Sequence, residues 1–120
     1  MPDPIDVVRL YFEGLAAGDL ARIPYAENVE LRAPLAPQGL AEPIAGAAAV
    51  RAYLGGVLPL IDRVEILNLF QNGEWAAGRA HIRLKQPVGA VLRVMDVFKV
   101  VRGRIVFQEN HFDPRPVLAG

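Results

Sequence analysis

Val91-Leu92-Arg93-Val94-Met95-Asp96-Val97-Phe98-Lys99-Val100-Val101 reads as a long strand, rich in β-branched residues and alternating in polarity. One set of side chains is Leu92, Val94, Asp96, Phe98 and Val100; the other is Val91, Arg93, Met95, Val97 and Lys99. The first set is apolar except for Asp96. A carboxyl group on that face must find a partner or keep its proton, because burying an unpaired carboxylate is costly.

Upstream, Arg63 to Gln71 and Glu74 to Gln86 read as two further strands, joined at the hairpin signal Asn72-Gly73. Pro87-Val88-Gly89-Ala90 turns the chain into the Asp96 strand, and Arg102-Gly103 turns it into a last strand, Arg104 to Phe112. A short strand is expected from Val29 to Ala33, followed by a loop from Pro34 to Pro43 that can act as a rim or lid. Two helices come earlier in the chain. Asp3 caps the first, Pro4 suits its first turn, Ile5, Val8, Phe12 and Leu15 share a face with Tyr11 beside them, and Gly18-Asp19 stops it. A short helical piece follows from Leu20 to Ile23, and Ala47 to Leu58 is helical with Val50, Tyr53, Leu54, Val57 and Leu58 as its apolar stripe. Helices followed by a meander of strands define an α+β domain, expected to be a single unit over residues 1–120.

Composition narrows the chemistry. Apolar residues make up 52% and charged residues 22%, with 13 basic and 13 acidic side chains. A balanced charge without a Lys/Arg cluster argues against a nucleic-acid partner. The chain has no cysteine and only His81 and His111, so neither a disulfide framework nor a His/Cys metal site is expected. Serine and threonine are absent as well, which removes the usual hydroxyl and thiol nucleophiles and leaves proton transfer or water activation. No apolar run is long enough for a membrane span, and no leader is apparent, so a cytoplasmic location is expected.

If the turn is symmetric about Val88 and Gly89, His81 lies across from Asp96 and Arg79 across from Phe98. An odd-membered loop would instead send His81 to the other face. A His81–Asp96 pair would supply a general acid or base near neutral pH, with Arg79 and Tyr11 donating to an oxygen that gains charge. The same side chains would equally form a satisfied structural network. A three-residue turn through Gly103 sets Gln108, Asn110 and Phe112 on the Asp96 face. With Val94, Phe98 and Trp75 these are the candidate binding residues, although Trp75 is the kind of residue that more often packs or sits at an interface.

Three stretches carry a resemblance to a known family: Val8-Arg9-Leu10-Tyr11-Phe12 running into Ala17-Gly18-Asp19-Leu20, Asp96-Val97-Phe98-Lys99-Val100 with Gly103-Arg104-Ile105, and Asn110-His111-Phe112-Asp113-Pro114-Arg115-Pro116. In order and spacing the chain resembles the nuclear-transport-factor-2-like superfamily, which includes ketosteroid isomerases, SnoaL-like polyketide cyclases and limonene-epoxide hydrolases. The resemblance implies a cone-shaped, curved mixed or antiparallel sheet with N-terminal helices on its concave face (a cystatin-like α+β barrel). It also implies a pocket for a small apolar organic molecule, no cofactor, and a homodimer through the outer sheet face, where Val91, Met95 and Val97 sit among Arg93 and Lys99. Tyr11 and Asp96 match the tyrosine and protonated aspartate that bind the oxyanion in ketosteroid isomerases, where an apolar site holds the acid neutral. The position of that family's proton-shuttling aspartate falls at Ala33. Of the epoxide hydrolases' Asp-Arg-Asp set, Arg79 matches the arginine while His81 and Asn110 occupy the aspartate positions. In the looser cyclase pattern an acid near Asp96 has a histidine or other polar groups around it, and His81 with Asp96 fits that pattern best. The expected activity is therefore isomerase- or cyclase-like proton transfer on an apolar carbonyl or cyclic metabolite. Non-catalytic binding in the same fold is the alternative, and epoxide-hydrolase-like water activation a second.

Overall fold

Helix α1 runs from Pro4 to Ala17, and a computed structural model describes it together with the rest of residues 2–118. Its start is tied down by the Asp3 backbone N–H donating to Asp6 Oδ2 (3.3 Å). Gly18 ends it in a left-handed conformation (φ 67°) that a side chain would oppose. Val7, Val8, Tyr11, Phe12 and Leu15 are its buried residues. Ile5, expected on that face, is only half-buried. After a 3-10 turn at Leu20–Arg22 come β1 (Tyr25–Arg32), the short β2 (Ile44–Ala45), α2 (Ala47–Val57) and a second 3-10 turn, Leu58–Leu60. Four long strands complete the sheet: β3 (Ile61–Asn72), β4 (Trp75–Leu84), β5 (Val91–Val101) and β6 (Arg104–His111); a helical turn, α3, spans Arg115–Leu118. Strand β1 begins at Tyr25, ahead of the expected Val29, because Tyr25 already pairs with Ile105.

The sheet order is β2-β1-β6-β5-β4-β3. The β1–β6 pair is parallel and the other neighbours are antiparallel, so the sheet is mixed. It curls around the helices. Helix α1 lies against β3, β4 and β5, and α2 against β1. The closest approach is at Gly78: a Cβ there would lie 2.5 Å from Phe12 Cε2 and 3.0 Å from Val8 Cγ1, so only glycine lets α1 seat on the sheet. Phe12 and Phe98 are fully buried at this junction, and Tyr11 stacks edge-on to both, with ring centroids 5.0 and 5.1 Å away.

Alternation along β5 is as its sequence suggests: Leu92, Val94, Asp96, Phe98 and Val100 are buried, with Arg93 and Met95 exposed on the other face. The two hairpins around β5 differ from expectation in different ways. Between β4 and β5 the turn is centred on Pro87, with the Leu84 N–H donating to the Ala90 carbonyl (2.8 Å), and Asp96 faces Gly78 while His81 faces Arg93. The His81–Asp96 and Arg79–Phe98 pairings therefore do not form: the odd-membered loop Lys85–Gly89 puts His81 and Arg79 on the outer face. Between β5 and β6 the turn is the tight Arg102-Gly103 rather than a three-residue one, with Val101 paired to Arg104. A bulge at Val106 then restores the parity, so Gln108 and Asn110 still face inward, paired with Phe98 and Asp96.

Candidate functional site

Inside the cone, between the helices and the sheet, lies a cavity of about 40 Å³; with its mouth the empty space is about 480 Å³. Its walls are aliphatic: Leu15 from α1, Leu54 and Val57 from α2, Ile82 and Leu84 from β4, and Leu92 and Val94 from β5. Leu35 comes from the loop after β1, which Arg32 pins by donating from Nη1 to the carbonyls of Leu40 and Ala41, both at 2.8 Å. The polar part of the lining consists of Tyr11, Tyr53, Asp96 and Asn110, with Phe112 beside them.

Asp96 is the central group. It is 2% exposed, and its Oδ1 has no hydrogen-bond partner among the described residues. Burial pushes its pKa well above the ordinary carboxyl value, opposed only by the backbone of His111. The physical cause is plain: among the described residues no cation lines the cavity to offset the loss of water around a carboxylate. Burial thus favours the neutral carboxyl form of Asp96 over the carboxylate.

All three tyrosines of the chain surround it. Burial, and then the proximity of Asp96, raise the pKa of Tyr11 well above 10.0 and that of Tyr53 to about 12. Tyr25 shifts in the same direction for the same two causes, with Arg51 and Gln108 acting against them. The phenols accordingly remain protonated donors. The Tyr25 hydroxyl donates to Gln108 Oε1 at 2.6 Å, and Gln108 Nε2 donates to Asn110 Oδ1 at 2.9 Å.

Of the residues expected at the site from sequence, Tyr11, Val94, Asp96, Asn110 and Phe112 line the cavity. Phe98 and Gln108 are buried behind them. Three others lie outside. Arg79 donates to Asn68 Oδ1 (2.9 Å), and His81 sits between Glu65 (Nδ1 to Oε1, 3.7 Å) and Arg93 (3.3 Å to Nε2), all on the outer face. Trp75 is 45% exposed on the same face, edge-on to Phe107 at 5.7 Å with Lys99 over its ring. The water-activating set of the epoxide hydrolases is thus not assembled, since its arginine position points away from the cavity.

Sequence reasoning did not single out Tyr25, Tyr53 or Leu35 as site residues. Tyr25 reaches Gln108 only through the parallel β1–β6 pairing, which no local pattern announces. Among the described residues no group of three or more His, Asp or Glu side chains is placed to hold a metal ion, and no helix is long and apolar enough to cross a membrane.

A SnoaL-like domain match covers residues 8–108, and the chain belongs to that family, within the nuclear-transport-factor-2-like superfamily. Among solved structures, an NTF2-like protein of unknown function from Burkholderia pseudomallei is 24% identical, with a TM-score of 0.77, over 99% of this chain and 97% of that one. TerC, co-crystallised with polyporic acid, is 18% identical with a TM-score of 0.80 over 97% and 95%. A candidate polyketide cyclase from Sinorhizobium meliloti is 19% identical with a TM-score of 0.73 over 92% and 95%. At these identities the likeness is one of fold. No protein of curated function matches the chain.

Proposed function

We propose that the protein binds a small, neutral, largely apolar molecule bearing a carbonyl oxygen and acts on it by cofactor-independent proton transfer, as isomerases and cyclases do. One observation carries the reading: a buried carboxyl group, Asp96, with an oxygen unpartnered among the described residues, at the polar end of an otherwise aliphatic cavity. Asp96 gives its proton to the ligand oxygen while Tyr11 stands by as a second donor. The carboxylate so formed then accepts a proton from the carbon next to the carbonyl, giving the enol and regenerating the acid. His81 and Arg79 have no part in this step. TerC, a protein of similar fold, was co-crystallised with polyporic acid, which supports a pocket for a small organic molecule here.

A cavity of about 40 Å³ holds no more than about three waters. A cyclic ligand enters only if the rim gives way, and Leu35, on the loop pinned by Arg32, is the side chain to move. The tightness of the cavity and the alanine at position 33 favour a second reading, binding without chemistry. One experiment separates the two. The protein is incubated in D₂O with a panel of cyclic ketones, and exchange of the hydrogens next to the carbonyl is followed by NMR. Exchange above the buffer rate that falls by roughly a hundredfold or more in Asp96→Asn supports proton transfer. Ketone binding with exchange at the buffer rate leaves the binding protein.

The same proposal includes a homodimer in the cytoplasm, formed through the outer sheet face. Phe70 and Trp75 are 52% and 45% exposed there, and with Ala77 and Val97 they line a shallow apolar depression. Sedimentation at micromolar concentration is expected to give twice the chain mass, and Trp75→Glu to give a monomer; a wild-type monomer removes the dimer from the account.

A further inference from the structure

The hydrogen bonds behind the cavity have a direction. Tyr25 is buried, and the group over its ring is the Arg51 guanidinium, 5.5 Å from the centroid, which accepts no hydrogen bond. The phenolic hydrogen of Tyr25 therefore goes to Gln108, and only the amide oxygen can receive it. That choice turns the Gln108 NH₂ toward Asn110, whose amide oxygen accepts it. With Oδ1 of Asn110 occupied, its Nδ2 is the atom left to face the cavity that Asn110 lines. In the reverse arrangement Asn110 would present an acceptor, and the Tyr25 hydrogen would have nowhere to go among the hydrogen bonds of the described residues.

We propose that Tyr25, Gln108 and Asn110 form a one-way relay that sets an Asn110 N–H beside Asp96, so that the site selects a ligand carbonyl over a hydroxyl or an amine. Asn110 contacts the ligand; Gln108 and Tyr25 are positioning residues that act through it. Asp96 and Asn110 are directly paired across β5 and β6, which puts the two donors on one small patch of the cavity wall. A ketone oxygen has two lone pairs and takes both. An alcohol oxygen that accepts from both leaves its own hydrogen without an acceptor in the aliphatic cavity, and an amine has at most one lone pair for two donors. The proposal rests on the reading of Asp96 as a neutral donor.

The test uses cyclohexanone, cyclohexanol and cyclohexylamine as probes, with the infrared band of cyclohexanone labelled with ¹³C at its carbonyl. Wild type is expected to bind the ketone roughly five- to tenfold more tightly than the other two, and to shift its carbonyl band to lower frequency. Asn110→Leu weakens ketone binding by roughly five- to tenfold, returns part of the shift and abolishes the preference. Tyr25→Phe removes only the hydroxyl that sets the direction, so the amides flip and the band splits in two; a merely structural tyrosine leaves one band. If Asn110→Leu does not fold, the Tyr25→Phe spectrum decides. An unsplit band in Tyr25→Phe, or an unchanged band and preference in Asn110→Leu while Asp96→Asn moves them, overturns the relay and leaves the role of Asp96 standing. Wild-type protein that binds none of the probes, or takes the amine best, overturns the relay and the neutral-donor reading together.

Discussion

On the concave side of β4 and β5 the ionisable group is Asp96, walled in by Val94, Phe98 and Ile82. On the convex side of the same two strands Arg79, Arg83, Arg93 and His81 stand in water, answered by Glu65 from β3. The residues are neighbours in sequence and a sheet's thickness apart in space. Outside, charge is solvated and contributes little to stability. Inside, a single carboxyl has lost its water and gained no cation among the described residues, which favours its protonated form; in the proposed reading that form is the donor. Chemistry in this fold therefore depends on which face a side chain takes, and one residue of register decides that.

The contrast is open to direct attack. The largest effect is expected at Gly78, inside, against Ala77, outside. Gly78→Val drives a side chain into Phe12 and Val8 and should lower unfolding stability in urea by about 3 kcal/mol, whereas Ala77→Val should stay within about 0.5 kcal/mol. Equal effects at the two sites would mean that α1 does not seat on β4 as described.

Next in size is Asp96→Asn, which keeps the shape and removes the titration. Burial raises the folded-state pKa of Asp96 above its ordinary 3.8, so the native state binds the proton more tightly than the unfolded chain. That contribution is fully present below about pH 4 and is lost as pH rises toward the raised value, because unfolding then releases the proton. Wild-type stability should fall over this range relative to Asp96→Asn, leaving the variant more stable at pH 7 by roughly 1–3 kcal/mol in thermal or urea unfolding. A variant less stable than wild type at pH 7 would imply that Asp96 is an ionised, well-paired group. The smallest effect is expected outside: His81→Ala and Arg79→Ala should each change stability by less than about 0.5 kcal/mol and leave ketone exchange at the wild-type rate. A large loss of exchange in either would restore the outer face to the mechanism.

The same contrast explains what could be read from the chain alone. The inward set on β5 was legible because alternation is local: Leu92, Val94, Phe98 and Val100 frame Asp96 whatever the neighbouring strand does. The α1 face that carries Tyr11 and the stop at Gly18 are local as well. The partner of Asp96 was not legible, because the loop Lys85–Gly89 decides parity and its length cannot be inferred from Pro87 and Gly89 alone. The bulge at Val106 shows the converse, a wrong turn length with the right face, since one extra residue in the strand compensated. Tyr53 lies on the expected apolar stripe of α2, but its place in the cavity wall, like that of Tyr25 behind it on Gln108, comes from tertiary packing that no local spacing announces.

The most direct test of the account is the protonation state of Asp96, followed by infrared spectroscopy of protein labelled with ¹³C at the aspartate carboxyls. A protonated carboxyl band that persists at pH 7 in wild type and disappears in Asp96→Asn is the expected result. Titration of every aspartate near the ordinary value, about 3.9, would contradict the neutral donor and the carbonyl chemistry built on it.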